Sequence, residues 1–347
     1  MKIYLDPRCD IRYASFYIQG LYDIYGKKNV IFSPKYSKYV SFDEFNSIVD
    51  RILLITFVLD NYKIKKIAID ARDPRSLLEK AYNWCDLYFK TNYIDEKEQE
   101  VRNKLKIIPP GFAISLWNPI VTLGYGFYNT AQSFFTHNYG NKSYLLNTLK
   151  TYLYLLIRRC KICNYQIHIS TLSNYIFMIC SLWNYEECIS GTNYLRYRFM
   201  KNCFDNPKIQ FDGGFVIKAQ SAEIPMGWEN LCVKNRISCK GYIKKTKKSF
   251  CVFNTPAVRE CHGWKLPEFL CMGKAIISTP LKNDLPIALE HGENIHIVTS
   301  EEELSNAIEL LQENSEYRKK LETKAKEYWD KYCTPKHVIN TIIEYMQ

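Results

Sequence analysis

Two α/β domains, each built on a parallel, doubly wound sheet, are what this sequence predicts. Three observations carry that expectation. Short apolar runs alternate with amphipathic stretches through the first half of the chain. A second alternating series begins at Tyr175. The 347 residues, 47% hydrophobic and 15% aromatic, are enough to bury two cores.

In the first series Lys2 to Leu5, Asn29 to Ser33, Lys65 to Asp70, Asp86 to Thr91 and Lys104 to Pro109 read as strands. Helical periodicity falls on Ser15 to Tyr25 and on Asp43 to Leu59 between them. From Gly111 to about Asn164 the sequence turns aromatic and basic, with a helix around Tyr144 to Arg159 that covers the sheet or faces an acceptor. A polar stretch, Ser170 to Asn174, marks the boundary between a domain over 1–170 and a second over 171–332.

The second series opens with the strand Tyr175 to Trp183 and a helix through Tyr194 to Cys203. The strand Lys208 to Gly214 ends in an Asp-Gly-Gly turn, and the strand Phe250 to Thr255 precedes a short helix and a strand over Ala275 to Thr279. Ser300 with Glu303 three residues on is a capping-box spacing, and Leu304, Ile308 and Leu311 give the helix that follows an apolar face. A helix over Glu316 to Tyr332 ends before a break at Pro335. The last helix, His337 to Met346, belongs to a segment over 333–347 expected to pack back on the N-terminal domain.

Composition excludes several classes. The first ten residues carry charges where an export signal needs an apolar run, and no apolar segment reaches the roughly 18 residues of a membrane span. A cytoplasmic protein is expected, with its thirteen cysteines as thiols. The single C-x-x-C, Cys160 to Cys163, lacks a second pair, and no D-x-D is present, so neither a metal nor another cofactor is expected. Residues 101–250 hold 20 Lys and Arg against 6 Asp and Glu, a surplus of 14 that suits either an anionic partner or a solvated surface. The acid-free run Lys234 to Lys248 suits peripheral contact with anionic headgroups on the inner face of the plasma membrane, a charged glycan, or again a solvated helix face.

The stretch ECHGWKLPEFLCMGKAIIST, Glu260 to Thr279, carries the chemistry. Gly263 permits close backbone approach, Pro267 suits a first helical turn, and Gly273 suits the position after the last. Glu260 then lies on a loop after a strand and Glu268 near a helix start, where free N–H groups and the helix dipole favour an anion such as phosphate. In open α/β sheets ligands sit at the carboxyl ends of strands. Glu268 is placed to accept from ribose hydroxyls and Glu260 to reach the group beyond the phosphate. Taken singly, Glu268 also reads as a helix-start residue and Glu260 as a solvated loop charge.

The spacing Glu260-x7-Glu268, followed by FLCMGKAIIST, resembles the signature of the GT-B glycosyltransferases of group 1 (family 4), in particular bacterial members that build surface polysaccharides. The resemblance extends over Lys208 to Gln347 and is only architectural before it. It implies two Rossmann-like domains facing a cleft, an acceptor side in the first and a nucleotide-sugar side in the second. By position it implies ribose at Glu268, donor sugar at Glu260, and diphosphate at Gly263 and Trp264, with His262 and the Gly213 and Gly214 backbone nearby. Cys261, His262 and Phe269 depart from the usual glycine, aromatic and alanine, which bears on the shape of the sugar pocket. The family's basic pair, which neutralises the leaving diphosphate, has its counterparts here in Arg196 or Arg198 with Lys201. The loop after the first strand offers Asp10, Arg12 and Ser15 to donor or acceptor, and His291 is a further polar candidate.

The implied activity is that of a hexosyltransferase. A sugar passes, with retention, from a nucleotide diphosphate to a saccharide or lipid-linked saccharide in polysaccharide or lipopolysaccharide synthesis. An epimerase or a phosphorylase on the same fold, and a member that binds donor without activity, share these residues. A basic nucleic-acid binder has the charge but none of the recognition motifs, so no nucleic acid is expected as a partner.

Overall fold

A computed structural model describes residues 1–40, 51–60, 62–94, 103–137, 142–217, 223–234 and 236–347. The chain forms two compact units. The first comprises Met1–Ile162, Asp284–Pro286 and Tyr332–Gln347, and the second Cys163–Asn283 and Ile287–Lys331.

Unit 1 is α/β. Its elements are β1 (Lys2–Leu5), α1 (Ile11–Tyr25), β2 (Val30–Phe32), β3 (Ile52–Val58), β4 (Ile64–Asp70), α2 (Glu79–Trp84), β5 (Leu87–Lys90), β6 (Leu105–Ile107), α3 (Pro119–His137) and α4 (Lys142–Arg158). The sheet order is β2-β1-β3-β4-β5-β6. Every neighbouring pair is parallel except those of β3, which runs antiparallel to both β1 and β4.

That strand corrects the helix expected over Asp43 to Leu59. Residues 43–50 lie outside the described residues, but Ile52–Val58 is a strand with six of its seven residues buried. An apolar run of this kind, rich in β-branched residues, suits a strand covered on both faces. Its direction follows from its exit. Tyr62, at a φ of 61°, donates to Leu59, and Leu59 to Lys63, closing a turn too short for a parallel crossover.

Unit 2 contains α5 (Ile162–Gln166, whose first residue belongs to unit 1), β7 (Tyr175–Ser181), α6 (Tyr194–Asp205), β8 (Gln210–Val216), β9 (Cys232–Val233), α7 (Cys239–Lys248) and β10 (Val252–Asn254). It continues with α8 (Lys265–Met272), β11 (Ile276–Ser278), β12 (His296–Ile297), α9 (Glu301–Glu313) and α10 (Ser315–Tyr328). The strands make two parallel ladders, β9-β8-β7 and β10-β11-β12. The Phe250 N–H donates to the Tyr175 carbonyl at 2.9 Å and the Phe177 N–H to Ser249 Oγ at 2.8 Å, which sets β10 beside β7. Counted from β7, the order is 3-2-1-4-5-6, the doubly wound arrangement. Phe199 of α6 stacks on Phe253 of β10 with ring centroids 4.7 Å apart, inside a core that includes Met178, Ile277 and Leu304.

The Asp-Gly-Gly expected as a turn lies inside β8. A Cβ on Gly213 would sit 1.9 Å from the Met178 carbonyl oxygen, and one on Gly214 2.3 Å from that of Leu231. At φ of 117° and 141° both positions also require glycine for their backbone. Strand β7 on one side and Leu231, just ahead of β9, on the other therefore approach too closely for any side chain there.

The chain returns to unit 1 with α11 (Pro335–Met346). Pro335 opens this helix rather than breaking the preceding one, since Thr334 caps it by accepting from the His337 N–H at 3.2 Å. It lies against α1 at Gly20, where a Cβ would come within 2.1 Å of the Pro335 carbonyl oxygen. Among the described residues no helix is long and apolar enough to cross a membrane.

Candidate functional site

The strand order of unit 2 reverses between β7 and β10, and the carboxyl ends of those two strands are where a doubly wound sheet leaves a ligand crevice. Asn193 fastens the end of β7, accepting from the Trp183 N–H at 3.1 Å and donating to its carbonyl at 2.7 Å. From there the turn that leads into α6, and the first turn of the helix itself, reach the end of β10. Thr192 Oγ1 donates to the Pro256 carbonyl at 2.9 Å, and Arg196 Nε to Thr255 Oγ1 at 3.1 Å. Arg196 is buried, which fixes its charge beside the segment that leads to Glu260.

That segment is strained. Arg259 and Glu260 take φ of 55° and 57°, a left-handed conformation that costs a non-glycine residue roughly 1–2 kcal/mol. It is held by hydrogen bonds from Ala257 N–H to the Cys261 carbonyl at 2.9 Å and from Asn283 Nδ2 to the Glu260 carbonyl at 2.8 Å. Glu260 is exposed, while Cys261 and His262 behind it are buried. Backbone strain retained at the carboxyl end of a central strand is a feature of functional loops. Gly263 differs from the two strand glycines, because a Cβ there would meet only Ala257, at 3.4 Å.

Helix α8 begins without a side-chain cap, Trp264 standing in helical conformation before it. Glu268, in its first turn, is buried, and its Oε2 accepts from the Tyr242 hydroxyl of α7 at 2.8 Å. Lys265 lies with its ammonium 5.2 Å from the Tyr242 ring and 5.6 Å from the Phe269 ring. Burial pushes the Cys180 thiol near the end of β7 above its ordinary pKa, and Arg196 and Lys265 both act against that rise. Both cations are therefore within electrostatic reach of Cys180. The helix closes as its sequence indicates: Gly273 is left-handed at φ 62°, and Lys274 N–H donates to the Phe269 carbonyl at 3.1 Å.

Other expected residues are placed elsewhere. Arg198 forms an ion pair with Glu301 at the start of α9, and Lys201 pairs with Asp205 at 2.7 Å on an exposed face. Neither stands with Arg196, because two and five residues along a helix turn a side chain well away from it. His291 Nδ1 accepts from the Ile297 N–H at 3.0 Å and so braces β12. In the basic run, Lys245 pairs with Asp212 at 2.6 Å and the buried Lys247 donates to the Ile167 carbonyl.

In unit 1, Asp10 caps α1, accepting from the Arg12 N–H at 3.0 Å while the Arg12 guanidinium forks onto the same carboxylate. Ser15 is buried and accepts from the Ile114 N–H at 3.1 Å. The Asp10 fork recurs twice. Asp6 with Arg8 and Asp70 with Arg72 show the same pair of contacts, backbone N–H and guanidinium to one carboxylate. Asp70 also accepts from Tyr88 at 2.6 Å and from the buried Lys90 at 2.9 Å. Burial pushes the Asp6 and Asp70 carboxyls up, but Arg8 in one case and Lys90 and Arg72 in the other hold both below the usual value. Among the described residues no group of three or more His, Cys, Asp or Glu is placed to hold a metal ion.

Sequence reasoning missed Lys265 and these forks. The signal for the forks was the repeated Asp-x-Arg, at two strand ends and one helix start. Lys265 had none, since its place depends on where α7 lies.

No family model and no curated protein matches the chain. Among similar solved structures is HepE of Anabaena in complex with UDP-glucose, at 14% identity and a TM-score of 0.41, covering 78% of this chain and 66% of that one. TarM is similar at 11% identity and a TM-score of 0.41, over 87% of this chain and 62% of its own. MurG of Acinetobacter baumannii is similar at 12% and 0.29, over 74% and 90%. The chain thus spans just under two thirds of the length of HepE and TarM.

Proposed function

We propose that the chain is a GT-B glycosyltransferase that takes its sugar from a nucleoside diphosphate bound by unit 2. One observation carries the reading: the strained Glu260 loop, Arg196 and the uncapped start of α8 with Glu268 all gather around the carboxyl end of β10, beside the point where the strand order reverses. In this reading Glu268, already a hydrogen-bond acceptor toward Tyr242, takes ribose hydroxyls. The Gly263 and Trp264 backbone receives the diphosphate, in the space that Gly263 leaves. Glu260 and His262 face the donor sugar. Arg196 is the first cation on the leaving diphosphate and Lys265 the second, in place of Lys201, which is engaged with Asp205.

The bond from the anomeric carbon to the diphosphate breaks as the acceptor oxygen bonds to that carbon, and the acceptor proton passes to the leaving phosphate oxygen. The charge that develops on the diphosphate is met by fixed cations and N–H groups, which need no reorganisation as the bond breaks. Retention of configuration, a hexosyl donor, an acceptor side in unit 1, and a saccharide or lipid-linked saccharide acceptor on the way to a surface polysaccharide complete the proposal. No metal is assigned a part in it.

Thermal unfolding with UDP, GDP, ADP and CMP and their common sugars tests it. Ligand at a hundred times its dissociation constant adds about 2.7 kcal/mol, a rise of a few degrees for domains of this size. One nucleoside diphosphate is expected to raise the melting temperature of the wild type and to leave Glu268→Ala unshifted. A wild type indifferent to every nucleotide, with acceptor extract present, overturns the reading.

A further inference from the structure

Helix α3 of unit 1 is built inside out. Thr122, Gly126, Asn129 and Ser133 recur at helical spacing and are buried, with Asn129 Nδ2 donating to the Tyr152 hydroxyl of α4 at 2.6 Å. A Cβ on Gly126 would meet Tyr152 at 3.2 Å, so the two helices approach closely there, with Thr148 and Thr151 of α4 buried as well. The outer face of α3 is the apolar one. It carries Ile120, Val121, Phe127, Tyr128, Phe134 and Phe135, with Ile120 at 83% and Phe135 at 82% exposure. Small and polar residues between helices with large apolar ones outside are the pattern of helices that face lipid, where water cannot drive apolar side chains inward.

Charge identifies what covers this face. Residues 119–136 contain no charged side chain, and the 85 residues 101–185 contain no Asp or Glu but eight Lys and Arg. On α4, Lys150 and Arg158 are exposed on the same stretch as the exposed Leu146 and Ile157. An apolar stripe on a helix pair whose only charged residues are cations fits an anionic bilayer surface, which takes the apolar side chains below the headgroups and pairs the cations with them. A protein partner supplies no reason for an acid-free run this long, whereas any carboxylate in it would be repelled by anionic lipid.

We propose that the α3–α4 hairpin is a membrane-docking face that lies in the headgroup region of an anionic bilayer. This rests on unit 1 alone and is independent of the nucleotide reading. It places the contact on α3 and α4 rather than on the basic run 234–248, where Lys245 and Lys247 are held by their own unit.

Vesicle flotation of the full chain tests it, with phosphatidylcholine alone and with phosphatidylcholine mixed with phosphatidylglycerol. The wild type is expected to float with the anionic vesicles. The triple variant Phe127→Ser, Phe134→Ser, Phe135→Ser is expected to bind about tenfold more weakly or worse, since each serine removes an aromatic ring from the lipid contact. Phe135→Ser alone gives a smaller loss in the same direction and is the readout should the triple variant fail to fold. Lys150→Gln with Arg158→Gln is expected to erase the preference for anionic vesicles, and Lys240→Gln with Lys244→Gln to leave it intact. A wild type that floats with neither vesicle overturns the proposal. So does Phe135→Ser binding unchanged, or a wild-type dimer that the serine variants dissolve, which would assign the face to self-association.

Discussion

Three glycines separate what the sheet demands from what a ligand would. Gly213 and Gly214 have carbonyl oxygens where a Cβ would go, and Gly263 has only Ala257 at ordinary contact distance. Gly213→Ala is therefore expected to cost about 3 kcal/mol or more, because backbone rather than a flexible side chain must give way. Gly263→Ala is expected to change stability by less than about 1 kcal/mol and to weaken the nucleotide response. Urea midpoints on both variants, followed by nucleotide titration of the second, check the pair. Equal stability losses at the two positions count against a ligand role for Gly263. The same scale accounts for Lys265. Its place over the Tyr242 ring depends on α7, far away in sequence, so nothing near position 265 announces it.

At the scale of elements, α8 and α7 show how local and distant information divide. The start of α8 near Pro267 and its end at Gly273 are written within a dozen residues, and the left-handed Gly273 closes the helix as expected. Helix α7 reads locally as a basic, solvated helix, yet it packs on β7 and buries Lys247. Burial pushes the Lys247 ammonium down to about 8, from an ordinary value of about 10.4. Between those values the unfolded chain binds more protons than the folded one, so this residue's contribution makes stability rise with pH across that window. The penalty is present in full below the folded value. Lys247→Met is expected to be stabilising at pH 7, with its advantage shrinking from pH 8 to pH 10. Melting curves of the two proteins across that range check the sign, and an advantage that grows with pH refutes it.

At the scale of the whole chain, unit 1 concentrates buried charge and unit 2 concentrates the candidate site. The carboxyls of Asp6 and Asp70, held below their ordinary value, stabilise above about pH 4 and lose that contribution as pH falls through their depressed values. Urea midpoints measured from pH 7 down to pH 3 are expected to fall steeply below about pH 4. Asp70→Asn is expected to cost about 3–5 kcal/mol at pH 7, since it leaves Lys90 buried without its counter-charge, and to flatten that fall. A variant as stable as the wild type at pH 7 rules out the network as a support of the fold.

The alternation of apolar runs and amphipathic stretches by itself determined two α/β units, because period and cap residues act within a few positions of each other. The spacing of Glu260, Pro267, Glu268 and Gly273 likewise determined a strand, a loop and a short helix in that order. The direction of β3, the close approach at Gly213, the place of Lys265 over the Tyr242 ring and the outward apolar face of α3 were decided only by tertiary structure. Each depends on which distant backbone or side chain lies opposite, and in α3 the burial of Gly126 and Asn129 against Tyr152 of α4 reverses the inside-outside pattern that local hydrophobicity predicts.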